Sequence, residues 1–133
     1  MKRIIPVFLM MTLFLTGCTA PAPTSNPKTN TYRQITMPQA IEMMEKEENY
    51  IILDVRTHQE FAAGHIPGAI VIPNETIGTE EIPQLPDKDQ LIMVYCRSGN
   101  RSKQASDKLV KLGYTNIVEF GGIIDWPGEI VTD

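Results

Sequence analysis

The sequence predicts an α/β domain in which helices cover both faces of a mostly parallel sheet. Its 133 residues are 42% hydrophobic and 21% charged, which suffices for one core but not for two domains. Short apolar runs without polar alternation indicate strands that are buried on both faces. Amphipathic stretches with helical spacing lie between these runs, and this alternation indicates βαβ units with right-handed crossovers.

The N-terminal segment is predicted to be a targeting signal that precedes the fold. A positively charged start is followed by a predominantly apolar run of twelve residues over 4–15, fewer than a membrane-spanning helix needs. The next residues, Leu-Thr-Gly-Cys, end at Cys18 and resemble a bacterial lipobox, whose cysteine is lipidated and becomes the first residue of the mature chain. We therefore expect a lipoprotein signal peptide over residues 1–17. The alternative is a secretory signal that is cut near Ala20.

A tether is predicted between the lipidated cysteine and the folded domain. Residues 18–31 consist of Cys18 and a stretch rich in Pro and Thr, which has little to bury. The thirteen residues after Cys18 would reach roughly 43–47 Å when fully extended. We expect the domain, residues 32–133, to be extracytoplasmic and anchored to a bacterial membrane, on its periplasmic side or at the cell surface, because several acyl chains anchor stably.

The first predicted helix and strand follow the tether directly. Thr36 and Gln39 have the spacing of a capping box and precede an apolar stripe, so we predict a helix over about residues 38–48. Residues 50–55 form an apolar, largely β-branched run, which is typical of a parallel strand covered on both faces.

A second helix and a second strand are predicted next. Thr57 and Glu60 again have capping-box spacing, and Gly64 is placed to end the short helix that they open. Residues 69–72 form another apolar run, which Pro73 ends, as expected of a short strand.

The third and fourth predicted strands flank the most regular predicted helix. Residues 91–95 form a buried strand that leads straight into Cys96. Residues 100–112 carry apolar side chains at helical spacing, and Gly113 fits the C′ position after that helix. Residues 116–120 form the fourth strand. Because ligands of such folds bind beyond the carboxyl ends of the strands, Cys96 lies where a site is expected.

The loop between the third strand and its helix carries the candidate chemistry. Its members are Cys96, Arg97, Ser98, Gly99, Asn100 and Arg101. We predict Cys96 as the catalytic nucleophile and the five residues after it as the substrate-binding loop, because backbone N–H groups, a helix N-terminus and two arginines favour an anion. Such surroundings can lower a cysteine pKa from about 8.5 to roughly 3.5–7.5. The alternative is a buried structural cysteine.

Ordered motifs along residues 32–128 resemble those of a single-domain rhodanese. They are Leu-Asp-Val-Arg at 53–56, the run from Glu to Ala at 60–69, the cysteine motif at 94–102, Gly-Gly at 121–122, and Trp126. The resemblance implies a three-layer α/β/α sandwich around a mainly parallel five-stranded sheet. It therefore also implies one further strand near residues 32–35, while the short stretch after Trp126 leaves the extent of the last helix open.

The same resemblance implies sulfurtransferase activity. Cys96 would attack the outer sulfur of a donor such as thiosulfate, become a persulfide, and pass this sulfur to cyanide or a thiol acceptor. The resemblance implies neither a metal nor an organic cofactor. For the other motif residues, Asp54, Arg56, Glu60 and His65, we expect structural roles in ion pairing, helix capping and local backbone contacts.

Two alternative functions stay open at this stage. A phosphatase or arsenate reductase would use a similar loop, but such enzymes place five residues between cysteine and arginine, whereas four separate Cys96 from Arg101 here. A non-catalytic module that binds persulfides or thiols on the cell envelope is the other alternative. Nucleic-acid binding is not expected, because twelve Lys and Arg against sixteen Asp and Glu leave a net charge of −4 without a basic tract.

Overall fold

The computed structural model of the chain describes Gly17 and residues 31–132. The predicted signal peptide over residues 1–17, except Gly17, and Cys18 with nearly all of the tether lie outside the described residues. Among the helices of the described part, none combines the length and the apolar character that would let it cross a bilayer.

The centre of the fold is a sheet of five parallel strands, in the order β1-β5-β4-β2-β3. The strands are β1 (Arg33–Gln34), β2 (Tyr50–Asp54), β3 (Ile70–Val71), β4 (Leu91–Cys96) and β5 (Ile117–Gly122). The predicted α/β fold with a five-stranded parallel sheet is therefore confirmed. β1 and β3 have two residues each, so the edges of the sheet are much shorter than its middle.

Helices cover both faces of this sheet. They are α1 (Met37–Lys46), α2 (His58–Ala63) and α3 (Asn100–Lys111), with short 3-10 turns at Asn74–Thr76 and Ile123–Asp125. On one face, α3 packs on alternate residues of β4 such as Ile92 and Val94. On the other face, α1 packs with Trp126 against Met93 and Tyr95. All six residues of β4 are buried, which explains why its sequence shows no alternation.

The helix ends agree with the predicted caps except at α2. The Thr36–Gln39 capping box is complete, although α1 ends at Lys46, two residues earlier than predicted. At α2 only half of the predicted box forms: Thr57 Oγ1 accepts the N–H of Glu60, but the Glu60 carboxylate is bound to an arginine of α3 instead of the cap backbone. This carboxylate prefers the guanidinium because two charge-assisted hydrogen bonds outweigh one bond to a neutral N–H.

The last helix that the sequence left open is absent from residues 126–132. After the 3-10 turn at Ile123–Asp125, the chain returns across the molecule and forms an antiparallel bridge between Val131 and His65. Two backbone hydrogen bonds of 2.9 Å join these residues. The C-terminal segment is thus fastened to the turn after α2.

Candidate active site

Cys96 lies at the carboxyl end of the central strand β4, where the loop to α3 begins. The ladder between β4 and β5 shifts register between Val94 and Cys96, which places Cys96 opposite Gly122. The residue is 1% exposed and is a free thiol. Gly99 caps α3 with φ of 108°, a left-handed conformation that glycine adopts without strain, and its N–H lies 3.0 Å from Sγ. The sulfur is therefore held against the N-terminus of a twelve-residue helix.

Hydrogen bonds at this helix end favour the thiolate of Cys96. Burial alone would raise the pKa of the thiol, but donors around the sulfur outweigh it and lower the pKa below its ordinary value. These donors are the hydroxyl and backbone N–H of Ser102 and the backbone N–H groups of Gly99 and Ser98. A cysteine with this environment is in the reactive, anionic form over a wider pH range than a free one.

A close approach between two loops shapes the site. The 121–122 turn packs directly against the cysteine loop, and a Cβ on Gly122 would overlap the backbone of Arg97 and Ser98. The N–H of Ile124 donates to the carbonyl of Arg97 at 3.3 Å, which fastens the loop to the segment after β5. Space thus requires a glycine at position 122, because only a hydrogen side chain fits there, whereas Gly121 has the left-handed φ of 99° that glycine adopts without strain.

The two arginines of the loop lie in different electrostatic settings. Arg101 donates to both carboxylate oxygens of Glu60 at 2.8 and 3.0 Å. This bidentate pair lowers the pKa of Glu60 and neutralises the charge of Arg101. Arg97 is exposed and lines the same open pocket of about 490 Å³, whose apolar wall includes Ile123 and Ile124. Arg97 is therefore the arginine whose charge an incoming anion meets, because the charge of Arg101 is neutralised by Glu60.

The remaining predicted loop residues differ in exposure. Ser98 and Asn100 are exposed, whereas Gly99 is buried. Ser98 contributes to the site through its backbone N–H, and Asn100 is the first residue of α3. The structure brings Cys96, Arg97, Ser98, Gly99 and the start of α3 together, and their catalytic and substrate-binding roles stay predictions.

Asp54 and Arg56 form a buried ion pair behind the pocket. Asp54 is fully buried, Arg56 is 6% exposed, and Arg56 Nη2 lies 2.6 Å from Asp54 Oδ2. The same Nη2 donates to the carbonyl of Gly64 at 2.7 Å. The pair thereby joins the end of β2 to the turn after α2, the helix that contains Glu60.

His65 is buried in the turn after α2. Its Nδ1 lies 2.8 Å from the carbonyl oxygen of Phe61, and its ring stacks on the Phe61 ring with centroids 3.7 Å apart. Within residues 31–132, no group of three or more His, Cys, Asp and Glu side chains is arranged to hold a metal ion.

Two residues of the site escaped the sequence prediction. Ser102, which is fully buried, has its Oγ 3.4 Å from the Cys96 sulfur and 2.6 Å from Oε1 of Glu119. Glu119 is 3% exposed in the middle of β5. A charged residue inside the otherwise apolar run of 117–120 was the available signal, since a buried carboxylate needs a specific partner.

Comparison with known proteins identifies the family. Residues 36–128 match the family model of the rhodanese-like domain, and the chain belongs to this family. Thiosulfate sulfurtransferase PspE of Escherichia coli is 36% identical over 73 residues, which are 55% of this chain and 70% of that protein. A sulfurtransferase of Allochromatium vinosum is 42% identical over 82 residues, which are 59% and 73% of the two chains.

Solved structures agree with this assignment. A rhodanese from E. coli, described with anions, has a TM-score of 0.57 at 34% identity and covers 63% of this chain and 99% of its own. A rhodanese-related protein of Thermoplasma volcanium has a TM-score of 0.64 at 30% identity and covers 77% and 100%. The protein is therefore a sulfurtransferase of the rhodanese-like family.

Proposed function

We propose that Cys96 carries sulfane sulfur from a donor such as thiosulfate to a thiophilic acceptor, cyanide or a thiol. The Cys96 thiolate attacks the outer sulfur of thiosulfate, an S–S bond forms to Cys96, and the S–S bond of the donor breaks with its electron pair leaving on sulfite. Cyanide then attacks the outer sulfur of the persulfide, which yields thiocyanate and returns the thiolate. The supporting observation is the buried sulfur held by the N–H of Gly99 at the start of α3.

The electrostatics of the pocket support an anionic donor. The negative charge that moves to the outer sulfur of the persulfide would be stabilised by the same N–H groups that lower the pKa of Cys96. Arg97 supplies an exposed positive charge at the mouth of the pocket. The related E. coli rhodanese whose structure is described with anions supports the same preference here.

The covalent step is tested by the mass of the intact protein. Full-length protein in detergent should gain the mass of one sulfur atom with thiosulfate and lose it on addition of cyanide. The Cys96→Ser variant should do neither, while Ser106→Ala, which alters a buried hydroxyl elsewhere on α3, should behave as wild type. A wild-type protein that stays unmodified with thiosulfate and other sulfane donors would contradict the proposal and favour a non-catalytic module.

We also propose that Cys18 is lipidated and anchors the domain outside the cytoplasm. The support is the order of the N-terminal segments: a charged start, a predominantly apolar run of twelve residues, the Leu-Thr-Gly-Cys sequence and a tether rich in Pro and Thr. Cys18→Ala should block processing or release the protein from the membrane fraction without unfolding the domain. Wild-type protein found soluble, cut after Ala20 and free of lipid would contradict this assignment.

A further inference from the structure

Glu119 is a buried carboxylate for which sulfur transfer has no evident use. It lies in β5 and is 3% exposed. Its Oε1 accepts the N–H of Gly121 at 2.9 Å and the hydroxyl of Ser102 at 2.6 Å. None of the ion pairs that Lys and Arg side chains form among residues 31–132 involves it. A buried carboxylate without a cation is costly, so the contact with Ser102 calls for an explanation.

The single hydroxyl proton of Ser102 has several possible acceptors. Ser102 Oγ lies 2.6 Å from Glu119 Oε1, 2.9 Å from the Gly99 carbonyl and 3.4 Å from the Gly121 carbonyl, while Cys96 Sγ, at 3.4 Å, is a donor to it. A serine hydroxyl donates once and accepts twice. The carboxylate oxygen of Glu119 is the closest of these acceptors, so it takes the proton. Ser102 Oγ then offers a lone pair to the S–H of Cys96, and the three side chains form a chain of donors and acceptors.

We propose that Glu119 accepts the thiol proton of Cys96 through Ser102. The S–H bond breaks as an O–H bond forms on Ser102 Oγ, and the original hydroxyl proton of Ser102 moves to Glu119 Oε1. The products are a thiolate, an intact serine hydroxyl and a neutral carboxylic acid. The inference rests on the proposed role of Cys96, for which Glu119 is a positioning residue acting through Ser102.

The number of buried negative charges favours transfer of the proton to Glu119 over its loss to water. Before the transfer the buried charge is on Glu119, and after it the charge is on Cys96, so the interior holds one negative charge in both states. Loss to water would leave two negative charges separated by one serine, and like charges disfavour each other's ionised forms. After the transfer, the Ser102 hydroxyl is free to donate to the thiolate, which fits its contribution to lowering the pKa of Cys96.

None of the other charged side chains around the site is observed to pair with Glu119 or to take its place beside Ser102. The charged side chains nearby are Arg97 in the loop, Arg101 on α3, Glu60 on α2, the Asp54–Arg56 pair at the end of β2, and the exposed Glu75 and Asp125 in the two 3-10 turns. Arg101 and Arg56 are each paired with a carboxylate. On the edge strand β1, Arg33 donates to Asn116 at 3.2 Å instead of to Glu119.

The pH dependence of Cys96 alkylation tests the relay. Full-length protein is treated with iodoacetamide, a neutral reagent whose binding the arginines do not bias, and the modified Cys96 peptide is quantified by mass spectrometry. In wild type we expect the reactivity of Cys96 to extend to acid pH, because the Ser102 hydroxyl donates to the thiolate once its own proton has moved to Glu119.

Glu119→Gln keeps the shape but removes the proton acceptor. We expect the two profiles to cross. Wild type reacts faster at acid pH, because its thiolate keeps the hydrogen bond from Ser102, whereas the amide of the variant cannot take up the proton and leaves the Ser102 hydroxyl bound to itself; the variant reacts faster at alkaline pH, because it has no second buried charge. A purely electrostatic role would make the variant faster at every pH, and a purely structural role would leave the profile shape unchanged; either result overturns the relay. Glu48→Gln, an exposed change before β2, should keep the wild-type profile.

A second variant tests the relay even if Glu119→Gln does not fold. Ser102→Ala breaks the chain but keeps Glu119, and it should be alkylated more slowly than wild type at acid pH. A folded Ser102→Ala protein that is alkylated as fast as wild type at acid pH contradicts the proposal even if Glu119→Gln fails to fold. Persulfide formation is measured separately, so loss of the relay and loss of sulfur transfer are distinguishable.

Discussion

The ion pair between Glu60 and Arg101 is expected to limit the use of anionic donors. Arg101 is placed at the site by α3, yet both of its terminal nitrogens are bound to the carboxylate of Glu60. Glu60→Gln removes the negative charge while leaving an amide of the same size. Arg101 would then be free to contact a donor such as thiosulfate, in addition to Arg97.

The size of the effect follows from the geometry and exposure of the pair. A charge-assisted hydrogen bond contributes about 1.5–3 kcal/mol when buried, and an exposed ion pair about 0–1 kcal/mol. The two side chains are 33% and 28% exposed, which lies between these limits. We therefore take about 1.4 kcal/mol for a new contact with the donor, which corresponds to about a tenfold increase in kcat/KM for thiosulfate.

Steady-state kinetics with two donors would measure this change. We expect a larger gain for dianionic thiosulfate than for a singly charged aryl thiosulfonate, and a steeper loss of activity with added salt. Glu75→Gln is the matched control, because Glu75 acts on Arg101 only through its charge and without a hydrogen bond. If kcat/KM for both donors falls equally in Glu60→Gln, the reasoning is refuted, and Glu60 serves to hold Arg101 in position.

Three further predictions concern stability, packing and reaction type. Asp54→Asn should lower the free energy of unfolding by about 3–5 kcal/mol, measured in urea, because it leaves the charge of Arg56 buried without its partner; an unchanged midpoint would contradict this. Gly122→Ala should abolish persulfide formation by displacing the cysteine loop, whereas Gly78→Ala, in open space, should not. Aryl phosphate hydrolysis and arsenate reduction should be negligible, because the four-residue spacing after Cys96 makes a narrow loop; turnover of either substrate above the rate of sulfur transfer would show the opposite.

The sequence predicted the elements whose signals are local. The capping box at Thr36 and Gln39 needs only a spacing of three residues, and the structure contains it. Gly113 ends α3 with the predicted left-handed turn, with φ of 97°, because that signal is also contained in a few residues. The unbroken apolar runs of β2 and β4 were equally readable, since burial on both faces leaves no polar alternation.

The contacts that escaped prediction join residues far apart in the chain. Glu60 has capping-box spacing, but its partner Arg101 is 41 residues away and competes successfully with the cap. Ser102 and Glu119 are 17 residues apart and meet only because α3 packs on β5. Helical or strand periodicity contains no information on such pairs, so the electrostatic arrangement around Cys96 had to come from the structure.

The parallel direction of all five strands also fixes which way the site faces relative to the N-terminus. The chain enters β1 at the amino-terminal edge of the sheet, whereas Cys96 opens at the opposite, carboxyl-terminal edge. A tether from Cys18 would therefore reach the edge of the sheet opposite the reactive end, and this end could face away from the lipid surface towards diffusing substrates. The exposed charges at the amino-terminal edge are Glu47, Glu48, Asp87 and Asp89 against Arg33 and Lys46, and their negative excess would disfavour contact of this edge with anionic lipids.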